Sequence, residues 1–237
     1  VAFHPLGNFL ATASGDGCVK IWDFVNAKCQ RTYAEHGQPV WDVAFHDSGD
    51  FLISCSMDQS IKLWDMAIPK QSRFTFRGHA DQVNSIDWMP YSCMFASGST
   101  DKTVSLWDIR TNLCVQTFVG HEQSINSVKW NNTGDYIASA DSDGYVKVWD
   151  VRMVKEAVNF DCQYSSANCV LFDKASKYVL AGTSDNNSIH CFNLQTGEKD
   201  GELKGHEDSV LAMTWDNSKE GSCLISASSD CSFRLWQ

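Results

Sequence analysis

The sequence is short of the features that mark several large classes of protein. It has only 4 Pro among 237 residues and no Pro-rich or Gly-rich tract, which excludes collagen-like and low-complexity chains. No apolar run approaches the ~18 residues that a membrane helix needs. The opening Val1-Ala2-Phe3-His4-Pro5 has no basic segment and no long apolar segment, so no signal peptide is expected. It also lacks an initiator Met, as expected of a fragment. Positive charge is scarce: 19 Lys plus Arg stand against 29 Asp plus Glu, a net charge of -10. Nucleic-acid binders draw much of their affinity from neutralised phosphates, so neither a nucleic acid nor a membrane is an expected partner. The densest basic stretch, Lys70, Arg73 and Arg77 beside Lys62, reads as a solvated hairpin. The 10 Cys include no Cys-x-x-Cys pair. They read as reduced, buried small hydrophobes in a reducing compartment, with no disulfide framework and no metal site.

Apolar material is plentiful: 43% hydrophobic residues, with 9 Trp, 13 Phe and 6 Tyr. A chain of this length buries roughly 70% of its unfolded surface and needs no staple to hold a core.

Repetition organises that material. Ile21-Trp22-Asp23, Leu63-Trp64-Asp65, Leu106-Trp107-Asp108 and Val148-Trp149-Asp150 stand 42, 43 and 42 residues apart. Phe192 follows 43 residues later and Trp236 another 44, so six copies fill residues 1–237 and leave no room for a second domain. Each copy reads as short strands. In the fourth, Ile125 to Trp130, Tyr136 to Ala140 and Tyr145 to Asp150 are separated by Asn-Thr-Gly-Asp and Asp-Ser-Asp-Gly turns, and Val158 to Phe160 supplies a fourth strand. One such meander has two open faces and cannot bury both alone. Radial stacking buries them, so an all-β propeller is predicted.

Further columns keep the same period. Six residues before the motif Trp stand Asp16, Asp58, Asp101, Asp143 and Asp230, and four before those stand Thr12, Ser54, Ser97, Ser139 and Ser226. Gly78-His79, Gly120-His121 and Gly205-His206 precede the first strands, with Glu35-His36 as a near match. In this set the chain resembles the WD-repeat family along its whole length. The resemblance implies a buried hydrogen-bonded tetrad in each complete copy: His36, Ser54, Asp58 and Trp64; His79, Ser97, Asp101 and Trp107; His121, Ser139, Asp143 and Trp149; His206, Ser226, Asp230 and Trp236. A Ser-His-Asp hydrolase is weighed and set aside, because the set recurs four times with a Trp attached and no nucleophile elbow or phosphate loop accompanies it. No catalytic residue, cofactor or small-molecule substrate is expected. His4, His46 and His190 read as structural. The fifth copy departs: Cys162-Gln163 replaces Gly-His, Gly182 stands in the hydroxyl column and Phe192 in the Trp column.

Strands alternate in direction, so the His loop and the Asp turn of a copy open at the same end. Five residues beyond the His position stand Trp41, Asn84, Asn126, Asn168 and Leu211. Beside the turn stand Gly15, Met57, Thr100, Ser142, Asp185 and Ser229. In the WD family these positions commonly contact partners, and here the set is neutral, amide-rich and partly aromatic, which suits protein better than phosphate.

The segments Val83 to Ser92, Thr100 to Asp108 and His121 to Asn126, with Phe3-His4-Pro5 and Ser14-Gly15-Asp16, carry a narrower resemblance. They are similar to WD-repeat proteins of the ciliary central apparatus, the sperm-associated antigens of animals. This implies a scaffold bridging the central-pair microtubules of motile cilia. It also implies a cytoplasmic, cytoskeletal location in the axoneme, with partners from that assembly and tubulin among them. Another WD adaptor stays open: a ubiquitin-ligase substrate receptor, a microtubule-severing regulatory subunit or a signalling β-subunit. Six three-strand units with five connecting fourth strands are counted, so upstream residues are expected to add a seventh blade and the missing strand.

Overall fold

The computed structural model describes residues 1–68, 71–163, 165–216 and 223–237, so Lys70 of the basic stretch lies outside the described residues. The described chain is all-β, and its 23 strands form six antiparallel sheets of the propeller-blade type. Sheet one joins β1 (Ala2–Phe3), β2 (Phe9–Ala13), β3 (Val19–Asp23) and β4 (Lys28–Tyr33). Sheet two joins β5 (Val40–Phe45), β6 (Phe51–Ser56), β7 (Ser60–Asp65) and β8 (Ser72–Arg77). Sheet three joins β9 (Val83–Trp88), β10 (Met94–Ser99), β11 (Thr103–Asp108) and β12 (Leu113–Val119). Sheet four joins β13 (Ile125–Trp130), β14 (Tyr136–Asp141), β15 (Tyr145–Asp150) and β16 (Lys155–Asp161). Sheet five joins β17 (Ala167–Phe172), β18 (Tyr178–Thr183), β19 (Ser188–Asn193) and β20 (Lys199–Lys204). Sheet six joins β21 (Val210–Trp215), β22 (Leu224–Ser228) and β23 (Phe233–Trp236). The chain divides into two compact units, Val1–Val119 with sheets one to three and Gly120–Gln237 with sheets four to six.

Within each unit, neighbouring sheets pack through their middle strands. In the first, Ile53, Cys55, Ile61 and Leu63 of sheet two meet Val83, Ile86, Trp88 and Phe95 of sheet three. In the second, Ala138, Ala140, Val146 and Val148 of sheet four meet Ala167, Val170, Phe172 and Val179 of sheet five. Middle strands are buried on both faces, so β6 and β14 read as runs of small and apolar residues, whereas β7 and β15 bury Lys62, expected to be solvated, and Lys147, each paired with a carboxylate, Glu35 and Glu156 respectively.

The turn between the second and third strands always contains a left-handed residue: Gly17, Gln59, Lys102, Gly144, Asn187 and Cys231, with φ between 52 and 88°. At Gly144 an added Cβ would sit 2.4 Å from the carbonyl oxygen of Ser165, so glycine is required there on two counts. This shared φ fixes the register of all six copies, the divergent fifth included.

One sequence expectation changes, that of buried cysteines, and another, that of structural histidines, gains its geometry. All ten Cys are free thiols, but only Cys55, Cys162 and Cys169 are buried. Cys29, Cys114 and Cys231 are exposed, the first two because they sit on outer strands that no neighbouring sheet covers. Burial alone pushes the Cys169 thiol up to about 12, and burial followed by the charge of Asp161 does the same for Cys162. The His4 and His46 rings reach across to the next sheet, 3.0 Å from the carbonyl oxygens of Gly49 and Ser92 respectively, and so act as structural ties.

Candidate functional site

Four sheets hold a closed polar chain. In sheet two, His36 Nδ1 lies 2.9 Å from Asp58 Oδ2 and Nε2 lies 2.8 Å from Ser54 Oγ, which also accepts the indole N–H of Trp64 at 2.8 Å. Sheet three repeats this with His79, Asp101 (2.8 Å), Ser97 (2.7 Å) and Trp107 (2.8 Å). Sheet six does so with His206, Asp230 (3.0 Å), Ser226 (2.7 Å) and Trp236 (2.8 Å). One proton arrangement satisfies every member. Trp donates to Ser, Ser donates to Nε2 of a neutral imidazole, and Nδ1–H donates to the carboxylate. The electrostatics agree. Burial holds the His36 ring below the ordinary imidazole value. Burial pushes the Asp101 carboxyl up, but hydrogen bonds from His79 and Thr103 outweigh it and hold it well below the usual carboxylate range.

Sheet four corrects one expected residue. His121 Nδ1 bonds Asp141 Oδ2 at 2.7 Å, not Asp143; Nε2 bonds Ser139 Oγ at 2.6 Å, and Trp149 donates to that oxygen at 2.8 Å. The reason is a substitution two residues earlier. Where sheets two, three and six carry Ser56, Ser99 and Ser228, sheet four carries Asp141. Those serines accept the N–H of the turn Asp, as in Asp58 N–H to Ser56 Oγ at 3.1 Å. Asp141 does this with Oδ1, taking the N–H of Asp143 and of Tyr145, while its longer arm brings Oδ2 to the histidine. Asp143 is left exposed.

Sheet one keeps a fragment of the set, Trp22 Nε1–H to Thr12 Oγ1 at 3.0 Å. The glycine before His79, His121 and His206 also gains a cause. A Cβ at Gly78, Gly120 or Gly205 would stand 3.0, 3.1 or 3.2 Å from the rim of the indole of Trp107, Trp149 or Trp236, because the loop passes close to that ring.

These Ser-His-Asp sets cannot attack a substrate. Ser54, Ser97, Ser139 and Ser226 are fully buried, and each oxygen is capped by an indole N–H. Their chemistry is spent on holding the end of the sheet together.

The predicted contact column has a backbone signature that residue types did not reveal. Trp41, Asn84, Asn126, Asn168 and Leu211 are each the extra residue of a β-bulge in a first strand: Val40 pairs Ser56 while Asp42 pairs Cys55, and the other four repeat the slip. A bulge re-aims its side chain. The amides nevertheless do different work from the apolar members. Asn126 donates to the carbonyl of Ala167 at 3.0 Å and Asn168 to that of Val210 at 3.1 Å, tying each sheet to the next. Asn84 donates to Thr100 Oγ1 at 3.1 Å, and Ser142 donates to Asn126 Oδ1 at 3.3 Å. Trp41 (51%), Met57 (44%) and Leu211 (54%) project into solvent, and Asp185 and Ser229 are exposed beside their turns.

A structural scaffold of repeated blades is thus the class that fold and site define. The chain belongs to the WD40 family (WD domain, G-beta repeat), whose pattern matches residues 1–23, 27–65, 70–108, 112–150 and 197–237. The unmatched 151–196 contains β17, β18 and β19 of sheet five. Among known proteins, it is 35% identical over 127 residues to the nuclear distribution protein PAC1 of Coccidioides posadasii, covering 49% of this chain and 27% of that protein. It is 31% identical over 117 residues to protein tipD of Dictyostelium discoideum, covering 49% and 19%. PAC1 of Gibberella zeae is 29% identical over 127 residues, with 49% and 28% covered. The match therefore spans about half of this chain and less than a third of each relative.

Proposed function

We propose that this chain is a non-catalytic protein-interaction scaffold of a cytoskeletal assembly, and that its assembly is the central apparatus of motile cilia. The observation that supports a scaffold is the division of labour between polar groups. The reactive-looking Ser, His and Asp side chains are consumed inside the sheets, whereas apolar Trp41, Met57 and Leu211 are turned outward at bulges and turns. A large exposed aromatic such as Trp41 is what protein interfaces use as a hot spot, and methionine is enriched beside such anchors. The similarity of Val83 to Ser92 and Thr100 to Asp108 to central-apparatus WD proteins supports the ciliary assignment, with axonemal proteins and tubulin as partners. The relatives named for nuclear distribution support a second reading, a scaffold of that process.

Affinity recovery of the tagged full-length protein from ciliated cells tests both. Central-apparatus proteins should co-purify, and glutamate at Trp41, Met57 or Leu211, whose side chains project into solvent, should weaken their recovery, Trp41 most, without unfolding the domain. Recovery of nuclear-distribution proteins in their place would favour the second reading. Unchanged recovery from all three variants would move the contact surface elsewhere.

A further inference from the structure

Five sheets end on an outer strand, and four of those strands carry charge. β4 has Lys28 and Arg31; β8 has Arg73 and Arg77; β16 has Lys155, Glu156 and Asp161; β20 has Lys199, Asp200, Glu202 and Lys204. Charges on an edge are the ordinary protection against pairing with a stray strand. β12, Leu113-Cys114-Val115-Gln116-Thr117-Phe118-Val119, has none, and no charged residue occurs from Thr111 to His121. Leu113 is 64% exposed, Val115 53% and Val119 74%. Among the described residues β12 has β11 on one side and no strand on the other. Val115 is a bulge, since Leu106 pairs Gln116 while Trp107 pairs Cys114, so the regular open stretch is Gln116 to Val119.

We propose that β12 is a docking edge and that its occupant is β12 of a second copy of this chain. A strand that pairs here must bring no charge into the contact, because desolvating one without a partner costs more than a short ladder returns. This chain itself carries such a strand. Antiparallel pairing about a two-fold axis between Thr117 and Phe118 sets Gln116 against Val119 and Thr117 against Phe118. Each cross-strand pair then occurs twice, as an isologous contact requires. Any of the other outer strands would carry two to four charges into the same place. The ladder is short beside the ~1,200–2,000 Å² that stable complexes bury, so the association is concentration-dependent.

Two measurements on the full-length protein test this. Sedimentation equilibrium should show the weight-average mass climbing towards a dimer between about 1 and 100 μM, the range in which weak contacts form. Hydrogen exchange of the Gln116 to Val119 amides should slow several-fold over the same range. L113K combined with V119K, both at side chains outside the core, should hold the exchange at its dilute rate. V25K, on an exposed turn of sheet one, should change nothing. Exchange in β12 that is independent of concentration overturns the proposal, whether the protein is a monomer, has β12 covered by another protein, or dimerises elsewhere. So does concentration-dependent protection that survives L113K with V119K. Because the exchange experiment needs no variant, it decides the matter even if the double substitution unfolds sheet three.

Discussion

Sheets four and five are neighbours with the same four-stranded meander and a left-handed residue in the same turn, Gly144 or Asn187, yet they close one end by opposite means. Sheet four fills it with a polar chain from Trp149 through Ser139 and His121 to Asp141. Sheet five has Gly182 where Ser139 stands and Phe192 where Trp149 stands, and Phe192 stacks on Phe160 of sheet four at 4.7 Å and 17°. The loop duties pass to a smaller group: Ser165 Oγ accepts the N–H of Asp185 at 2.9 Å and of Asn186 at 3.2 Å. Cys162, in place of the glycine before the histidine, is fully buried in the shared apolar cluster. The backbone of a blade therefore does not demand the tetrad. What it demands is that the end be filled and that the turn N–H groups find acceptors, and either chemistry meets that demand.

The comparison breaks most readily at His121. Replacing it with Ala leaves the buried Asp141 Oδ2 without its Nδ1–H donor and the Ser139 hydroxyl without its nitrogen acceptor, so a loss of about 2–3 kcal/mol is expected, read from the urea midpoint. Asp141→Ala should cost a similar amount. Asp143→Ala, at an exposed turn position, should stay within about 0.5 kcal/mol of the parent. Equal losses at Asp141 and Asp143 would show that the sheet-four tetrad is misassigned here.

A smaller effect is expected from trying to turn sheet five into sheet four. A Cβ at Gly182 would lie 2.6 Å from Cys169 Sγ and 2.8 Å from Val210 Cγ1, because β21 of sheet six has closed down on the missing side chain. Gly182→Ser should therefore destabilise by about 1–3 kcal/mol, as overpacking does, although it restores the residue that the other sheets use. Adding Cys169→Ala should recover part of that. A stabilising Gly182→Ser would mean that sheet five still holds room for the polar chain.

Most of this architecture was legible in residue spacing. The 42-residue period, the turn glycines and aspartates, and the paired His and Ser columns gave six copies, their strands and three of the four complete tetrads. The fourth failed for a definite reason. Asp141 and Asp143 are two residues apart, and a count from Trp149 cannot tell which carboxylate reaches back. The bulges under Trp41, Asn84, Asn126, Asn168 and Leu211 were invisible because a bulge is a register slip between strands and leaves no residue type behind. The amides of Asn126 and Asn168 looked free for a partner until the carbonyls of Ala167 and Val210 were placed beside them. The exposure of Cys29 and Cys114 depends on which strand of a blade is outermost, which composition does not reveal.

The gentlest contrast concerns the histidine that each sheet keeps. In sheet four the imidazole is the centre of a satisfied chain. In sheet five His190 comes from β19 and is fully buried, and its ring sits 5.9 Å from Phe192 at 65°, against 5.9 Å and 64° for His121 and Trp149. Neither ring nitrogen of His190 has a hydrogen bond, and the nearest carboxylate, Glu202 Oε1, is 3.7 Å from Nε2. Burial first, then the positive charges of Lys199 and Lys204, hold the ring below its ordinary value, against the opposite pull of Glu202 and Asp161. Burial alone would raise the Glu202 carboxyl, but the Lys199 ammonium, which donates to Oε2 at 3.2 Å, outweighs it and brings it down to about 2, so it stays ionised throughout the range where His190 titrates. A depressed folded value means that the unfolded chain takes up the proton first. Stability is then fully present above the unfolded value near 6.5, falls as the pH drops below it, and levels off beneath the folded value. The slope contributed by one such group cannot exceed about 1.4 kcal/mol per pH unit. His36, also held low by burial, contributes in the same direction. His190→Met should therefore flatten part of the fall in urea midpoint between pH 7.5 and 5.5 while leaving the remainder that belongs to His36. An unchanged pH profile in that variant would mean that His190 takes up its proton alike in the folded and unfolded chain, and a steeper fall would mean that Glu202 holds it protonated in the folded sheet.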